Sequence, residues 1–436
     1  RASDFRRVGG NNYHSYDYDV TLKEMAEKEA WRVKQGVMLR PPRSFYFKSG
    51  LSPQVRLRST SAYNIREVGE GNFALYEGEE RVEDICFYRP KPRTTPEPVT
   101  GRGTPISTLI AFWPCCFFLN PMHRCEYFST GDQCKFCNYN AAQDDARAAG
   151  LDVPVTRNLE ETIEAFKIRN SEVRQLEGVI QNGGFQKAEQ ESRIHYDFVE
   201  KLASAASNKP NLSLAVQAKS RKEMQRLKDA GLDCCGIQME VMDPKLFPEI
   251  CPGKAKRTPF EGYIEACLDA VDIFGVGNVK VPLISGITLL TPNGHNTWQE
   301  ARDYHIEAND WLIKNGILAE FYPLWWAPGS VISEDKSNLQ KLPPIEYHLE
   351  IALAHHGAML KYGLYEKMNK LMVCGLDLPG PYAGDIGMLT LAGDVGKWMS
   401  TVVPDEENWL AELIAPLQSL ARTHSEIHQL HNDASH

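Results

Sequence analysis

Long apolar runs are missing from this chain, and with them any stretch fit to cross a bilayer as a helix. No window approaches the ~18–20 uninterrupted apolar residues such a span needs. The longest candidate, residues 106–119, is short and broken by Pro114. Positive excess is missing too. The formal net charge is −9, whereas binding to a phosphate backbone needs a basic field, so neither nucleic acid nor membrane is expected as a partner. Internal repeats and low-complexity tracts are absent. Eleven cysteines are present without disulfide-scaffold spacing, which fits a reducing, cytoplasmic setting. Of these, Cys234, Cys235 and Cys267 sit inside apolar stretches and read as small core residues.

What the sequence does have is three cysteines in the run CEYFSTGDQCKFCNYN, at Cys125, Cys134 and Cys137. Three thiolates on one loop are one ligand short of a closed tetrahedral set. A structural site wants four protein ligands, whereas a site that does chemistry leaves a position open. Two readings follow. One is structural zinc, with His123 as the fourth ligand two residues before Cys125. The other is an iron–sulfur cluster with one iron free to take a small molecule. Spacing alone leaves both open.

The surrounding pattern divides the 436 residues into three parts. Residues 1–105 read as a mostly β extension. It has a short helix at 24–35 and strands at 54–59, 63–68, 73–76 and 82–88. A connector over 90–105 carries five prolines and two glycines. From residue 106 a βα rhythm begins, with strand-like runs at 106–113, 178–182, 212–217, 235–241, 278–284 and 318–324. Between them Leu159, Ile163 and Phe166 share one helical face, as do Phe198, Leu202 and Ala206. Capping boxes are expected at Ser220…Glu223, at Thr297…Glu300, and at Thr258…Glu261 with Pro259 in the first turn, while Gly231 and Gly316 stand at helix ends. Six such units predict an α/β fold, a partial or full (β/α) TIM-like barrel of parallel strands over 106–330. Residues 331–436 read as a C-terminal helical segment with pocket-closing loops. One helix spans 345–362 and carries His348, His355 and His356, and a short strand lies over 370–374.

In parallel βα folds, ligands collect at the carboxyl ends of the strands. There the sequence places Gly183, Gly184, Phe185 and Gln186 after the second strand, where paired glycines let a backbone approach a ligand. Gln238 and Glu240 share one face of the fourth strand at period-two spacing. A carboxylate inside an apolar strand needs a donor, either ligand hydroxyls or a buried partner such as Lys280. Ser285 and Gly286 end the fifth strand, and Trp325 and Trp326 the sixth.

Together these residues resemble the radical S-adenosylmethionine superfamily, in its biotin-synthase-like and hydrogenase-maturase-like branch. The likeness rests on the three-cysteine loop with Phe136 before its last cysteine, on Gly183-Gly184, on Glu240, on Ser285-Gly286 and on the βα alternation. The run Phe247…Cys251-Pro-Gly-Lys254 adds to it. Two features depart from the family pattern. The first cysteine gap is eight residues where three are usual, and Phe185-Gln186 follow the glycine pair where an acidic residue is usual.

The resemblance implies a 4Fe–4S cluster on Cys125, Cys134 and Cys137 that cleaves S-adenosylmethionine to a 5′-deoxyadenosyl radical. The radical would take hydrogen from a small-molecule substrate or, alternatively, a peptide. The resemblance also implies cofactor contacts from Gly183, Gly184, Gln186, Gln238, Glu240, Arg257, Ser285 and Gly286, with Lys219 an alternative to Arg257 at the methionine carboxylate. Substrate contacts would come from Trp325, Trp326, Cys374, Asp377 and Asp385. A low-potential electron donor such as flavodoxin or ferredoxin would be the partner, and the protein would be oxygen-sensitive.

Overall fold

The computed structural model describes residues 46–47, 63–69, 72–86, 98–112, 116–148, 153–172, 177–181, 184–206, 209–324 and 329–364. Two sheets run through them. The first is antiparallel, in the order β1-β4-β3-β2, from β1 (Tyr46–Phe47), β2 (Tyr63–Gly69), β3 (Asn72–Glu77) and β4 (Glu80–Cys86). Three of the expected N-terminal strands are therefore present. The helix at 24–35 and the strand at 54–59 lie outside the described residues.

The second sheet has seven strands in consecutive order: β5 (Ala111–Phe112), β6 (Cys116–Leu119), β7 (Glu177–Ile180), β8 (Asn211–Val216), β9 (Cys234–Ile237), β10 (Val279–Ser285) and β11 (Leu318–Pro323). Strands β6 to β11 pair in parallel, each with the next in the chain. Consecutive order with helical crossovers is the winding of a β/α barrel. Among the described residues β11 does not close onto β6, so this is a partial barrel.

Eleven helices alternate with the strands among the described residues. They are α1 (Ile106–Leu109), α2 (Tyr139–Ala148), α3 (Leu159–Glu172), α4 (Ala188–Ala205), α5 (Arg221–Asp229), α6 (Leu246–Ile250), α7 (Pro252–Arg257), α8 (Phe260–Phe274), α9 (Trp298–Lys314), α10 (Val331–Glu334) and α11 (Ile345–Lys361). The crossovers cover the sheet, which is why β9 is buried along its whole length and β10 nearly so. One apolar core joins Phe117, Phe166, Phe198, Leu212, Ile237, Val281 and Leu312 from strands and helices alike. The capping boxes at Ser220 and Thr297 form as expected. Gly231 and Gly316 take the left-handed conformation just past α5 and α9.

Four expectations are corrected. Residues 106–113 are not the first strand: 106–109 are helical, Ala111–Phe112 run antiparallel to β6, and the first parallel strand is Cys116–Leu119. A short apolar run has no period to separate helix from strand, and the proline at 114 falls between the two pieces. The Thr258 capping box is absent, because Thr258 closes α7 by donating its N–H to the Lys254 carbonyl and Pro259 stands at the cap of α8. The fourth strand stops at Ile237, and Glu240 meets β10 only as an isolated bridge to Leu283. The end of the expected exposed connector is pinned to α3, where the Thr100 hydroxyl donates to Glu161 at 2.9 Å and Gly101 N–H to Glu164 at 2.7 Å.

Candidate active site

The three-cysteine loop leaves the carboxyl end of β6, and local bonds shape it before any long-range contact does. Cys125 is clamped by one side chain: its N–H donates to Asn140 Oδ1 at 2.8 Å, and Asn140 Nδ2 donates to its carbonyl at 2.9 Å. A turn closes Cys137 N–H on the Cys134 carbonyl at 2.9 Å. Cys125 and Cys134 are buried and Cys137 is half-buried. As free thiols, Cys125 is pushed up to about 11 by burial, and Cys137 is pushed up by burial and by the Cys134 and Cys125 sulfurs. The three sulfurs thus feel one another's charge. Yet among the described residues no three His, Cys, Asp or Glu side chains converge tightly enough to hold a single metal ion.

His123, the fourth ligand of the zinc reading, lies just before the cysteine loop. Its ring is fully buried and Nδ1 bonds the Pro154 carbonyl at 2.9 Å. Burial, with Arg157 adding to it, holds its pKa at about 3.

Gly184 follows β7, as the sequence suggested. Gly184 is pressed onto the cysteine loop: a Cβ there would lie 2.4 Å from the Arg124 carbonyl oxygen and 2.9 Å from Cys125 N. No other residue type fits. Gly183 lies outside the described residues. Gln186 is engaged, its Nε2 donating to the Arg124 carbonyl at 2.5 Å. Phe185 packs on Tyr127 beside Cys125, with ring centroids 6.0 Å apart.

Two buried charge clusters flank this loop. In the first, Lys254 Nζ donates to Glu240 Oε1 and to the Gln238 carbonyl, each at 2.7 Å. Glu240 has φ +72°, rare for a residue with a side chain. Two backbone bonds to β10 hold it there, Glu240 N–H to Pro282 O at 2.9 Å and Ile284 N–H to Glu240 O at 2.8 Å. Gln238 and Glu240 therefore do not share a strand face. The alternative partner Lys280 pairs with Glu320 instead, at 3.8 Å.

In the second cluster fully buried Glu191 faces two cations, Lys219 at 3.3 Å and Arg257 at 3.2 Å. It joins the cysteine loop through Gln217, whose Oε1 accepts from the Tyr127 hydroxyl at 2.7 Å. The sequence reading found Arg257, Lys219 and Glu240 but missed Glu191, Asn140 and the pairing of Glu240 with Lys254. Only a charged residue on an apolar helix face pointed to Glu191.

At the end of β10, Ser285 Oγ is buried and meets no hydrogen-bond partner among the described residues, as an atom awaiting a ligand would. Gly286 is left-handed, and its N–H is taken by the Tyr347 hydroxyl at 2.9 Å. Trp325, Trp326, Cys374, Asp377 and Asp385 lie outside the described residues, as does the expected strand at 370–374. His355 belongs to the core, bonding the Ala319 carbonyl through Nε2 at 2.9 Å.

A cluster and a nucleoside cofactor fit what is present: buried thiols, a cradle that a Cβ would fill, a cationic pair and an unpartnered hydroxyl.

No family model matches the chain. Among curated proteins it is similar to the bacteriochlorophyllide c C-7(1)-hydroxylase of Chlorobaculum limnaeum, 43% identical over 56 residues. That match spans 13% of this chain and 14% of the relative. Among solved structures it is similar to methylornithine synthase (PylB), at 16% identity and TM-score 0.38 over 62% of this chain and 69% of that one. It is also similar to the FeFe-hydrogenase maturase HydG of Carboxydothermus hydrogenoformans, at 15% identity and TM-score 0.43 over 70% and 76%. A radical SAM methyltransferase of Sphaerobacter thermophilus follows at 13% identity and TM-score 0.36 over 78% and 92%. At these scores the overlap is partial, and the site is defined by its own residues. In its three-cysteine loop and its consecutively wound parallel sheet, the chain resembles the radical S-adenosylmethionine enzymes.

Proposed function

We propose that this chain is a radical S-adenosylmethionine enzyme that takes hydrogen from a small-molecule substrate. The observation that carries the reading is the gathering of Cys125, Cys134 and Cys137 in one loop at the carboxyl end of the sheet, with Gly184 seated against Cys125. Three thiolates leave a four-iron cluster one position short of protein ligands. When bound, cluster and S-adenosylmethionine together supply a hydrogen-abstracting radical.

The chain's own residues hold, orient and shield. Asn140 fixes Cys125, and Cys125 and Cys134 are themselves buried away from water. Gly183 and Gly184 offer backbone to the methionine amine. Arg257 and Lys219, two cations on one carboxylate, have charge to spare for the methionine carboxylate. Glu240 and Gln238 serve the ribose, with Ser285 and Gly286 along the adenosine. Trp325, Trp326, Cys374, Asp377 and Asp385 remain the proposed substrate contacts. Flavodoxin or ferredoxin is the proposed electron donor, and the cytoplasm the proposed location. No helix of the described residues is long and apolar enough to cross a membrane.

The test is anaerobic reconstitution followed by iron and sulfide analysis and an assay for 5′-deoxyadenosine. The wild-type chain should bind about four irons, absorb in the visible and release 5′-deoxyadenosine. Cys125→Ala, Cys134→Ala and Cys137→Ala should lose all three properties, and Cys267→Ala none. A colourless protein that takes up zinc in place of iron would overturn the proposal.

A further inference from the structure

Of the residues that separate Cys125 from Cys134, only Tyr127 is buried, with 7% of its surface exposed. The segment folds so as to bury it. A 3₁₀ turn over Glu126–Phe128 starts where Glu126 N–H donates to the Phe185 carbonyl at 2.7 Å. Asp132 then turns back on it. Its N–H donates to the Tyr127 carbonyl at 2.8 Å, and its own carbonyl accepts from Gly253 N–H at 2.9 Å. The Tyr127 ring is walled in by Phe185, with centroids 6.0 Å apart, and by α7, where a Cβ on Gly253 would lie 2.5 Å from the ring. A phenylalanine would fill that space equally well, so packing does not account for the hydroxyl.

The hydroxyl starts a relay. It donates to Gln217 Oε1 at 2.7 Å, and Gln217 Nε2 donates to Glu191 Oε2 at 3.5 Å. The direction is fixed by chemistry. An ionised carboxylate only accepts, so Gln217 must turn its nitrogen to Glu191 and its oxygen to Tyr127, which must then donate. Gln217 and Glu191 are fully buried, so neither can exchange these bonds for water. The same Glu191 oxygen takes Arg257 at 3.2 Å, and the other oxygen takes Lys219 at 3.3 Å. Arg257 also reaches the Gln186 carbonyl at 3.3 Å, two residues past Gly184. Gln217 and Arg257 therefore share one oxygen, and each limits how far the other closes on it.

We infer that Tyr127 is a positioning residue for the cation pair Lys219 and Arg257: through Gln217 it occupies part of Glu191 and leaves the Arg257 guanidinium turned to an incoming carboxylate. The inference rests on the proposed S-adenosylmethionine site. Without the hydroxyl, Gln217 Oε1 is buried with no donor, its amide loses its orientation, and Glu191 Oε2 falls to Arg257 alone. A guanidinium drawn into a bidentate pair with a buried carboxylate has fewer donors for a second one. The loop that carries the three cysteines would then also set the anchor of the cofactor.

The experiment is equilibrium binding of two probes, S-adenosylmethionine and its decarboxylated analogue, to the reconstituted full-length chain, with iron content measured alongside. Tyr127→Phe keeps the ring and should keep the iron. It should weaken S-adenosylmethionine binding about tenfold, the low end of what a hydrogen bond to a charged group contributes, and leave the decarboxylated analogue unchanged. In an Arg257→Gln chain, Tyr127→Phe should add no further loss, since both act on one contact. Gln217→Met breaks the relay outside the cysteine loop. It should give the same pattern, and it decides the matter if Tyr127→Phe loads no iron. Equal losses for the two probes would overturn the inference, because a loosened fold does not tell them apart. So would an unchanged affinity for S-adenosylmethionine, or an undiminished loss in the Arg257→Gln chain. A wild-type chain that takes up no iron, or does not bind S-adenosylmethionine, would overturn the cofactor reading itself, and this inference with it.

Discussion

The two charge clusters beside the cysteine loop are built from the same residue types and balanced differently. Lys254 and Glu240 form a one-to-one pair whose ammonium is tied to two oxygens. Glu191 is outnumbered by Lys219 and Arg257, and Arg257 remains 22% exposed while its partner is wholly buried. A matched buried pair is self-contained; an unmatched one has charge directed at whatever arrives next. The difference separates a matched pair from a carboxylate with one cation left over, which is why the proposed methionine carboxylate contact is assigned to the second.

Removing one lysine from each cluster should break this comparison most visibly. Lys254→Met leaves Glu240 buried and alone, and should cost about 3–5 kcal/mol of stability. Lys219→Met leaves Glu191 paired with Arg257 and should cost roughly 1 kcal/mol, an ordinary mutational loss. Denaturant melts of the apoprotein read both. Equal losses would show that the clusters are not distinct in kind.

Cofactor affinity should sharpen the contrast. Arg257→Gln should weaken S-adenosylmethionine binding by about one to two decades, the worth of a charge-assisted hydrogen bond, with iron content unchanged. Glu240→Gln should weaken it by about one decade, since that carboxylate already serves Lys254. Equilibrium binding to the reconstituted chain decides. An unaltered affinity in Glu240→Gln would leave Glu240 as the partner of Lys254 alone.

The smallest expected effect is on pH dependence. His195 lies near the unmatched cluster, and burial, aided by Lys219 and Arg257, holds its pKa well below the usual value. Burial likewise holds His305 at about 3. Both protonate more readily in the unfolded chain. Their stabilising contribution is therefore full above about pH 6.5 and is lost as pH falls toward the folded values, at about 1.4 kcal/mol per unit for each. His195→Leu should make the stability profile between pH 7 and 5 shallower by one proton. An unaltered slope would mean that His195 is already charged in the fold.

How much of this was legible depended on sequence distance. The cysteine loop could be placed because its three cysteines fall within thirteen residues of one another, as could helices α5 and α9, whose caps are local. The βα rhythm survived because strands covered on both faces must be apolar along their length. The misreadings have local causes as well. The 106–113 run was too short to show a period, and Thr258 was already used to end the preceding helix.

Glu240 shows where local reasoning stops. Its place after an apolar strand suggested a period-two face, but bonds to Pro282 and Ile284 turn it into a left-handed conformation that no neighbour in sequence requires.

By itself, then, the sequence determined a parallel βα sheet with a three-thiol loop at its carboxyl end, since hydrophobic period, caps and ligand spacing act over a few residues. Only the tertiary structure decided which charges meet. Glu191 finds Lys219 28 residues away and Arg257 66 away, and Lys254 reaches Glu240 across the turn that docks α7 on the cysteine loop. A buried charge takes whichever partner packing brings within about 3 Å, and burial makes that choice costly to undo.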